Sequence, residues 1–124
     1  MIKCYIASPY SNGDKQENVN LQLDAAEILL KAGYAPYTPL LTHFQEIRHP
    51  RSETDWLALG LEFLSCCNVL IKIEPIVNGK ELPSPGADAE KAYAEKLNIP
   101  VYTFNTIEKL SEFLEYYSFI ENKI

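Results

Sequence analysis

The sequence predicts an α/β fold: a Rossmann-like (flavodoxin-like), doubly wound parallel sheet of four to five strands with helices on both faces. Two observations predict it. Short β-rich segments alternate with segments of helical periodicity along the 124 residues, an order that is typical of parallel sheets covered on both faces. The most apolar short segment, residues 68–73, is rich in β-branched residues, as expected of a buried parallel strand.

The first part of the chain contains two strands and one helix. Residues 2–7 are predicted to be a mostly apolar strand that ends at a loop over 8–14, where turn-forming residues cluster. Residues 15–32 are predicted to be a helix because apolar residues recur at helical spacing, and Gly33 follows as a stop signal. A brief second strand is predicted over 35–37.

The rest of the chain continues the alternation. Residues 40–53 show no clear period and are predicted to be a loop, whereas Thr54 begins a strongly apolar helix that runs to about Ser65. The strand over 68–73 follows. The remaining predicted elements are a loop over 74–85, a helix over 86–97, a strand over 100–104 and a helix over 106–117.

Composition and charge restrict the class of protein. The chain is 47% apolar and 23% charged, as in soluble globular proteins, and its length predicts one domain over residues 1–124. The net charge is −6, and no segment concentrates Lys or Arg. Such a charge would repel a nucleic-acid duplex, but a small anion can still be bound by backbone amides.

The cysteines indicate neither a disulfide framework nor a zinc site. Cys4 stands alone, Cys66 and Cys67 are adjacent, and no histidine lies at zinc-ligand spacing. We therefore expect buried free thiols in a reducing cytoplasm, with no metal and no cofactor. The N-terminal residues lack the pattern of a signal peptide, and no apolar run approaches the length of a membrane span, so we expect no membrane association.

The junction over residues 84–90 is the strongest candidate for a site. It follows the strand over 68–73 and begins a helix, so the amides of Gly86 and Ala87 and the hydroxyl of Ser84 could hold a phosphate. Glu90 lies one turn further, near the positive end of the helix dipole, where it would stay ionised and could attack an electrophilic sugar carbon. Alternatively, Ser84 is only a helix cap and Glu90 a solvent-exposed carboxylate.

Two further side chains follow strands at the same predicted edge of the sheet, where doubly wound folds bind their ligands. Tyr5 could donate a hydrogen bond to Glu90, or it is a half-buried strand tyrosine. His43 could contact a sugar or phosphate, or it is a structural or exposed histidine. The basic residues Arg48 and Arg51 are expected to be solvated, although one of them could bind phosphate.

Several short motifs occur in a fixed order over residues 2–104: YIASPY over 5–10, TH at 42–43, DWLAL over 55–59 followed by Glu62 and Leu64, SPGADAEKAYA over 84–94, and LNIPVY over 97–102. In their order and placement these motifs resemble the nucleoside 2-deoxyribosyltransferases and their relatives. The relatives include the 2′-deoxynucleoside 5′-monophosphate N-glycosidases and a group of small phage and bacterial domains.

The resemblance implies a role for each matching residue. Glu90 would be the nucleophile that takes the deoxyribosyl group at C1′, and Tyr5 would orient it. Ser84 stands where the transferases usually carry an acidic residue, and this replacement favours a 5′-monophosphate over a free nucleoside because a negative neighbour would repel phosphate. The residues that would bind the substrate are Ser8, Pro9, His43, Gly60, Ser84, Gly86 and Ala87.

The sequence departs from the resembled family at Gly60, where an Asp usually assists the base or the nucleophile, and at Asn68, where an acidic residue is common. Loss of the Asp would lower catalysis by orders of magnitude. Three hypotheses therefore stand: a glycosidase or transferase acting on a 2′-deoxynucleotide, a catalytically weakened protein that recognises or sequesters a nucleotide-like ligand, or a structural or interaction domain whose pocket is a relic of the fold. The resemblance also implies a homodimer or a higher homo-oligomer.

Overall fold

In a computed structural model, which describes residues 1–119, four parallel strands form a sheet at the centre of the fold. The last five residues of the predicted 1–124 domain lie outside the described residues. The spatial order of the strands is β2-β1-β3-β6. The strands of this sheet are β1 (Lys3–Ala7), β2 (Ala35–Tyr37), β3 (Val69–Ile73) and β6 (Val101–Phe104).

The two central strands, β1 and β3, consist almost entirely of buried residues. In register, Tyr5 of β1 lies between Tyr37 of β2 and Leu70 of β3, and Ala7 pairs with Lys72. The prediction of a doubly wound α/β fold is confirmed, with four strands in the main sheet. Because the strand order reverses at β1, the carboxyl ends of β1 and β3 flank the crevice in which such folds bind ligands.

The helices cover both faces of the sheet. α1 and α5 pack on one face around Leu29 and Leu110, and α3 and α4 pack on the other around Leu64 and Ala94. The helices are α1 (Lys15–Lys31), α2 (Thr42–Arg48), α3 (Glu53–Leu64), α4 (Pro85–Lys96) and α5 (Ile107–Tyr116).

Two aromatic residues in and after α5, Phe113 and Phe119, belong to the core on the face of the sheet that α1 and α5 cover. The ring of Phe119 is buried and stacks on Phe113, while its backbone carbonyl accepts a hydrogen bond from the hydroxyl of Tyr102. Tyr116 and Tyr117 remain exposed. Phe119 therefore adds a large apolar side chain to the core on the α1 and α5 side of the sheet.

Two segments that were predicted as loops contain regular structure. A 3-10 turn (Pro39–Leu41) leads directly into α2, a short helix without a side-chain N-cap, which explains why the sequence signal was weak. The predicted loop over 74–85 contains a two-stranded hairpin, β4 (Ile76–Val77) and β5 (Lys80–Glu81), whose turn carries positive φ at Asn78 and Gly79.

The start of α3 and the cysteines also correct the sequence analysis. The N-cap of α3 is Ser52, whose side chain accepts a hydrogen bond from the Asp55 amide, so the helix begins slightly earlier than predicted. Cys4 is buried as expected, but Cys66 is exposed and Cys67 half-buried because both follow the end of α3. Among the helices of residues 1–119, none combines the length and apolarity that a bilayer span requires.

Candidate active site

A cavity of about 640 Å³ opens at the carboxyl ends of the central strands. Its walls come from the loop after β1, the 3-10 turn and α2 after β2, and the first turns of α3 and α4. A volume of this size suits a small organic ligand. The cavity therefore occupies the crevice that the strand order creates.

Tyr5 and Glu90 form a buried pair in the cavity wall. Tyr5 is fully buried on β1, and Glu90 of α4 is 9% exposed. The Tyr5 hydroxyl donates a hydrogen bond to Oε2 of Glu90. The small residues Ala87 and Ala94 bury the same face of α4 against the sheet, which brings the carboxylate to the tyrosine.

Burial dominates the electrostatics of this pair. It raises the pKa of Glu90 to about 7, although the hydrogen bond from Tyr5 acts in the opposite direction. Burial and the nearby Glu90 carboxylate raise the pKa of Tyr5 far above its ordinary value, so Tyr5 is a neutral donor. Burial therefore works against the expectation that Glu90 stays ionised, because it moves the pKa of this carboxyl from 4.5 to about 7.

Gly60 of α3 lies behind the pair and does not line the cavity. A Cβ atom at this position would stand 2.5 Å from the Tyr5 hydroxyl oxygen and 3.6 Å from Oε2 of Glu90. The first distance is far below van der Waals contact. The phenol of Tyr5 thus fills the space that any larger residue at position 60 would need.

Ser84 both caps α4 and lines the cavity. Its Oγ accepts a hydrogen bond of 3.2 Å from the Ala87 amide, so that amide is engaged in the cap. Pro85 is the first helical residue and has no N–H. The donors that remain at this end are the Gly86 amide and the Ser84 hydroxyl hydrogen, fewer than the sequence analysis expected.

The opposite wall contains Ser8 and His43. The side-chain amide of Gln22 donates to Oγ of Ser8 at 2.9 Å, and its oxygen accepts from the Leu40 amide at 2.9 Å. This bridge ties the loop after β1 to the segment after β2. Nδ1 of His43 lies 2.6 Å from the hydroxyl of Tyr10 in a hydrogen bond.

A third wall segment is held by Glu46 of α2. Its Oε1 accepts hydrogen bonds from Nε1 of Trp56 at 2.6 Å and from the Arg51 amide at 2.9 Å, and the backbone bond is the main reason why the pKa of Glu46 is lowered. Sequence analysis missed Gln22 and Glu46 as site residues. Gln22, a polar side chain on the buried face of α1, was the one available signal.

Most of the predicted site residues come together around this one cavity. Pro9 instead borders a smaller second cavity. No cluster of three or more metal-ligating side chains occurs within residues 1–119. The predicted site residues that line the main cavity are Tyr5, Ser8, His43, Ser84, Gly86, Ala87 and Glu90.

Comparison with known proteins gives a family and a fold. The model of a family described as "Domain of unknown function (DUF7768)" matches residues 2–104. No curated protein matches the sequence. A solved structure of a 2-deoxyribosyltransferase from the psychrotolerant bacterium Bacillus psychrosaccharolyticus superposes with a TM-score of 0.63 at 18% identity, covering 94% of this chain and 93% of that chain. The chain therefore has a 2-deoxyribosyltransferase-like fold.

Substitution of Gly60 by Ala tests whether the phenol of Tyr5 occupies the space beside Gly60. Alanine normally stabilises a helix interior by about 1 kcal/mol relative to glycine. Here the added methyl would collide with the buried phenol, and we expect a net loss of about 1–3 kcal/mol, as for other overpacked cores. The measurement is urea denaturation. Gly86→Ala, whose Cβ would meet no atom within 4 Å, is the control, and an equally stable Gly60→Ala would contradict the close contact.

Substitution of Glu90 by Gln tests the burial of the carboxylate. The pKa of Glu90 is about 7 in the folded chain against an ordinary value of 4.5, so between these pH values the folded state binds more protons than the unfolded state. Stability is therefore lost as the pH rises from about 4.5 to about 7. Above that range Glu90→Gln is expected to be more stable than the wild type, by roughly 3 kcal/mol at most. Denaturation of both proteins at about pH 5 and about pH 8 measures this, and parallel pH profiles would refute it.

Proposed function

The chain belongs to the DUF7768 family, whose description names no activity, and we propose that it is an N-glycosidase or deoxyribosyltransferase-like enzyme. Its substrate would be a 2′-deoxynucleoside 5′-monophosphate, cleaved at the N-glycosidic bond through Glu90. The observation that carries the proposal is the buried Glu90 carboxyl at the wall of the cavity, hydrogen-bonded by Tyr5. The fold shared with a 2-deoxyribosyltransferase supports it.

The chemistry follows the two-step pattern of retaining glycosidases. Ionised Glu90 attacks C1′, the C1′–N bond breaks, and the base leaves with the bonding electrons and takes up a proton. A water molecule, or an acceptor base, then attacks C1′ of the glycosyl ester and releases the Glu90 carboxylate. In this scheme Tyr5 orients the nucleophile, and as a neutral donor it stabilises the ionised carboxylate that attacks.

The Ser84 end of the cavity supports a phosphorylated substrate. The Ser84 hydroxyl and the free Gly86 amide lie at the positive end of α4, where an anion is favoured. Glu90 follows one turn later on the same helix. A nucleotide whose 5′-phosphate contacts Ser84 and Gly86 would thus bring its sugar towards Glu90.

Gly60 favours a second candidate function. Because position 60 supplies no side chain, the proton for the leaving base must come from another group or from water. If none acts efficiently, the same cavity would bind a nucleotide-like ligand without cleaving it. A protein that only binds its ligand would still use the Ser84 end of the cavity, but binding would not require Glu90 to ionise.

Self-association and location stay proposals. We propose a homodimer or higher oligomer, supported by exposed apolar side chains on the 3-10 turn, α2 and α3, and a cytoplasmic location, supported by the free thiols. The exposed apolar residues are Leu41, Phe44, Ile47, Leu59 and Phe63.

Base release tests the proposed reaction. The protein is incubated with each deoxynucleoside 5′-monophosphate and each matching unphosphorylated nucleoside, and free base is separated by chromatography. We expect release from at least one nucleotide, and loss of roughly three orders of magnitude or more in Glu90→Gln, as for removal of other nucleophiles. Glu95→Gln, an exposed carboxylate on the same helix, is the control. Saturable nucleotide binding without release would establish the binder instead.

The pH dependence tests the role of Tyr5. Because Glu90 must be ionised to attack and its pKa is about 7, kcat/KM is expected to rise with pH through about 7 and then level. Tyr5→Phe removes the hydrogen bond that lowers this pKa, so the rise should move upward by about one pH unit, the size of one charge-assisted hydrogen bond. Tyr93→Phe, on α4 outside the cavity lining, is the control. A rise at the same pH in Tyr5→Phe would contradict the role of Tyr5.

A further inference from the structure

Lys72 is a buried cation that the proposed reaction does not use. It lies near the carboxyl end of β3 and is 4% exposed. Its ammonium group donates hydrogen bonds to the carboxylates of Glu74 and, at 2.8 Å, Asp88. Glu74 follows β3 at once, and Asp88 lies in the first turn of α4, so one ammonium joins the sheet, the hairpin segment and the helix.

This ion cluster lies directly behind the Ser84 end of the main cavity. Lys72, Glu74 and Asp88 border a second cavity of about 220 Å³. The two cavities share Pro83, Ser84 and Ala87 in their walls. The backbone of Ser84 also accepts a hydrogen bond of 2.9 Å from the Asp88 amide. A phosphate at Ser84 would therefore lie near the cluster, and charges closer than the Debye length of about 8 Å at physiological salt are only partly screened from each other.

We propose that Lys72 determines specificity for the 5′-phosphate by offsetting the charges of Glu74 and Asp88. This inference rests on the proposed function, because it concerns the same site. The cluster contains one positive and two negative groups. Without the ammonium, two uncompensated carboxylates would stand behind Ser84 and repel a phosphate, whereas an uncharged nucleoside would be affected much less.

The ammonium is suited to this role because it is fixed and charged. Burial lowers the pKa of Lys72, but the hydrogen bonds to Asp88 and Glu74 raise it above its ordinary value. The group is therefore positively charged at neutral pH. Lys72 acts through space, since it borders the second cavity and not the main one.

The test compares phosphorylated and unphosphorylated substrates in four proteins: wild type, Lys72→Met, Asp88→Asn and the double variant. The quantity measured is the ratio of kcat/KM for a deoxynucleotide to kcat/KM for its nucleoside. We expect the ratio to follow the net charge of the cluster. It should fall by about tenfold in Lys72→Met, rise in Asp88→Asn, and return near the wild-type value in the double variant.

Salt and a matched control separate this role from a structural one. The loss in Lys72→Met should shrink as ionic strength rises from about 0.01 M to about 1 M, where screening removes interactions beyond a few ångströms. Lys96→Met removes an exposed cation from the far end of α4 and should leave the ratio unchanged. Equal losses on both substrates, a salt-independent loss, or a fall in Asp88→Asn would overturn the proposal.

The test still decides the role of Lys72 if one variant does not fold or if the wild type shows no turnover. The side chain of Asp88 is 69% exposed, so Asp88→Asn is expected to fold. If Lys72→Met does not fold, the ratio measured for Asp88→Asn decides the test. If the wild type releases no base, the proposed reaction fails, and the same ratio is taken from calorimetric dissociation constants of a deoxynucleotide and its nucleoside. An unchanged ratio with Glu90-dependent turnover overturns the role of Lys72 only. Failure of the wild type to bind either ligand overturns both proposals.

Discussion

The contact between Tyr5 and Glu90 is the constraint around which this part of the fold is arranged. Tyr5 points from the central strand towards the face covered by α3 and α4, and its hydroxyl must find a partner because a buried phenol without one is costly. Glu90 provides that partner only if both helices approach closely. α4 does so through Ala87 and α3 through Gly60.

The same arrangement destabilises the ionised form of the Glu90 carboxyl. A carboxylate in water has many hydrogen-bond donors, whereas Glu90 is nearly enclosed and receives one from Tyr5. Desolvation therefore moves its pKa close to neutral. A buried carboxyl whose pKa lies near 7 is typical of active sites, where an acid or base changes its protonation state during the reaction.

The fold was predictable because its signals are local and repeated. The β-branched residues of β3, the helical spacing in α1 and the stop at Gly33 all indicate the same alternation. α2 escaped prediction because it is short and has no side-chain cap. The exposure of Cys66 was missed because it depends on where α3 ends relative to the sheet, which no local pattern encodes.

Gly60 shows why the site was harder to predict than the fold. In the sequence, Gly60 is noticeable only because the chains that this one resembles usually carry an Asp at that position. In space it is the reason that Tyr5 can reach Glu90, a relation between residues far apart in the chain.

A carboxylate at position 60 would displace the phenol, so this chain cannot combine that Asp with the present Tyr5 contact. In the proposed reaction, the proton for a leaving base would then come from water or from another side chain of the cavity wall, such as His43 or Glu46 of α2, which are held by Tyr10 and Trp56. If one of these side chains is the donor, the proposed cleavage depends on the segment over 38–53, where the sequence shows no clear period.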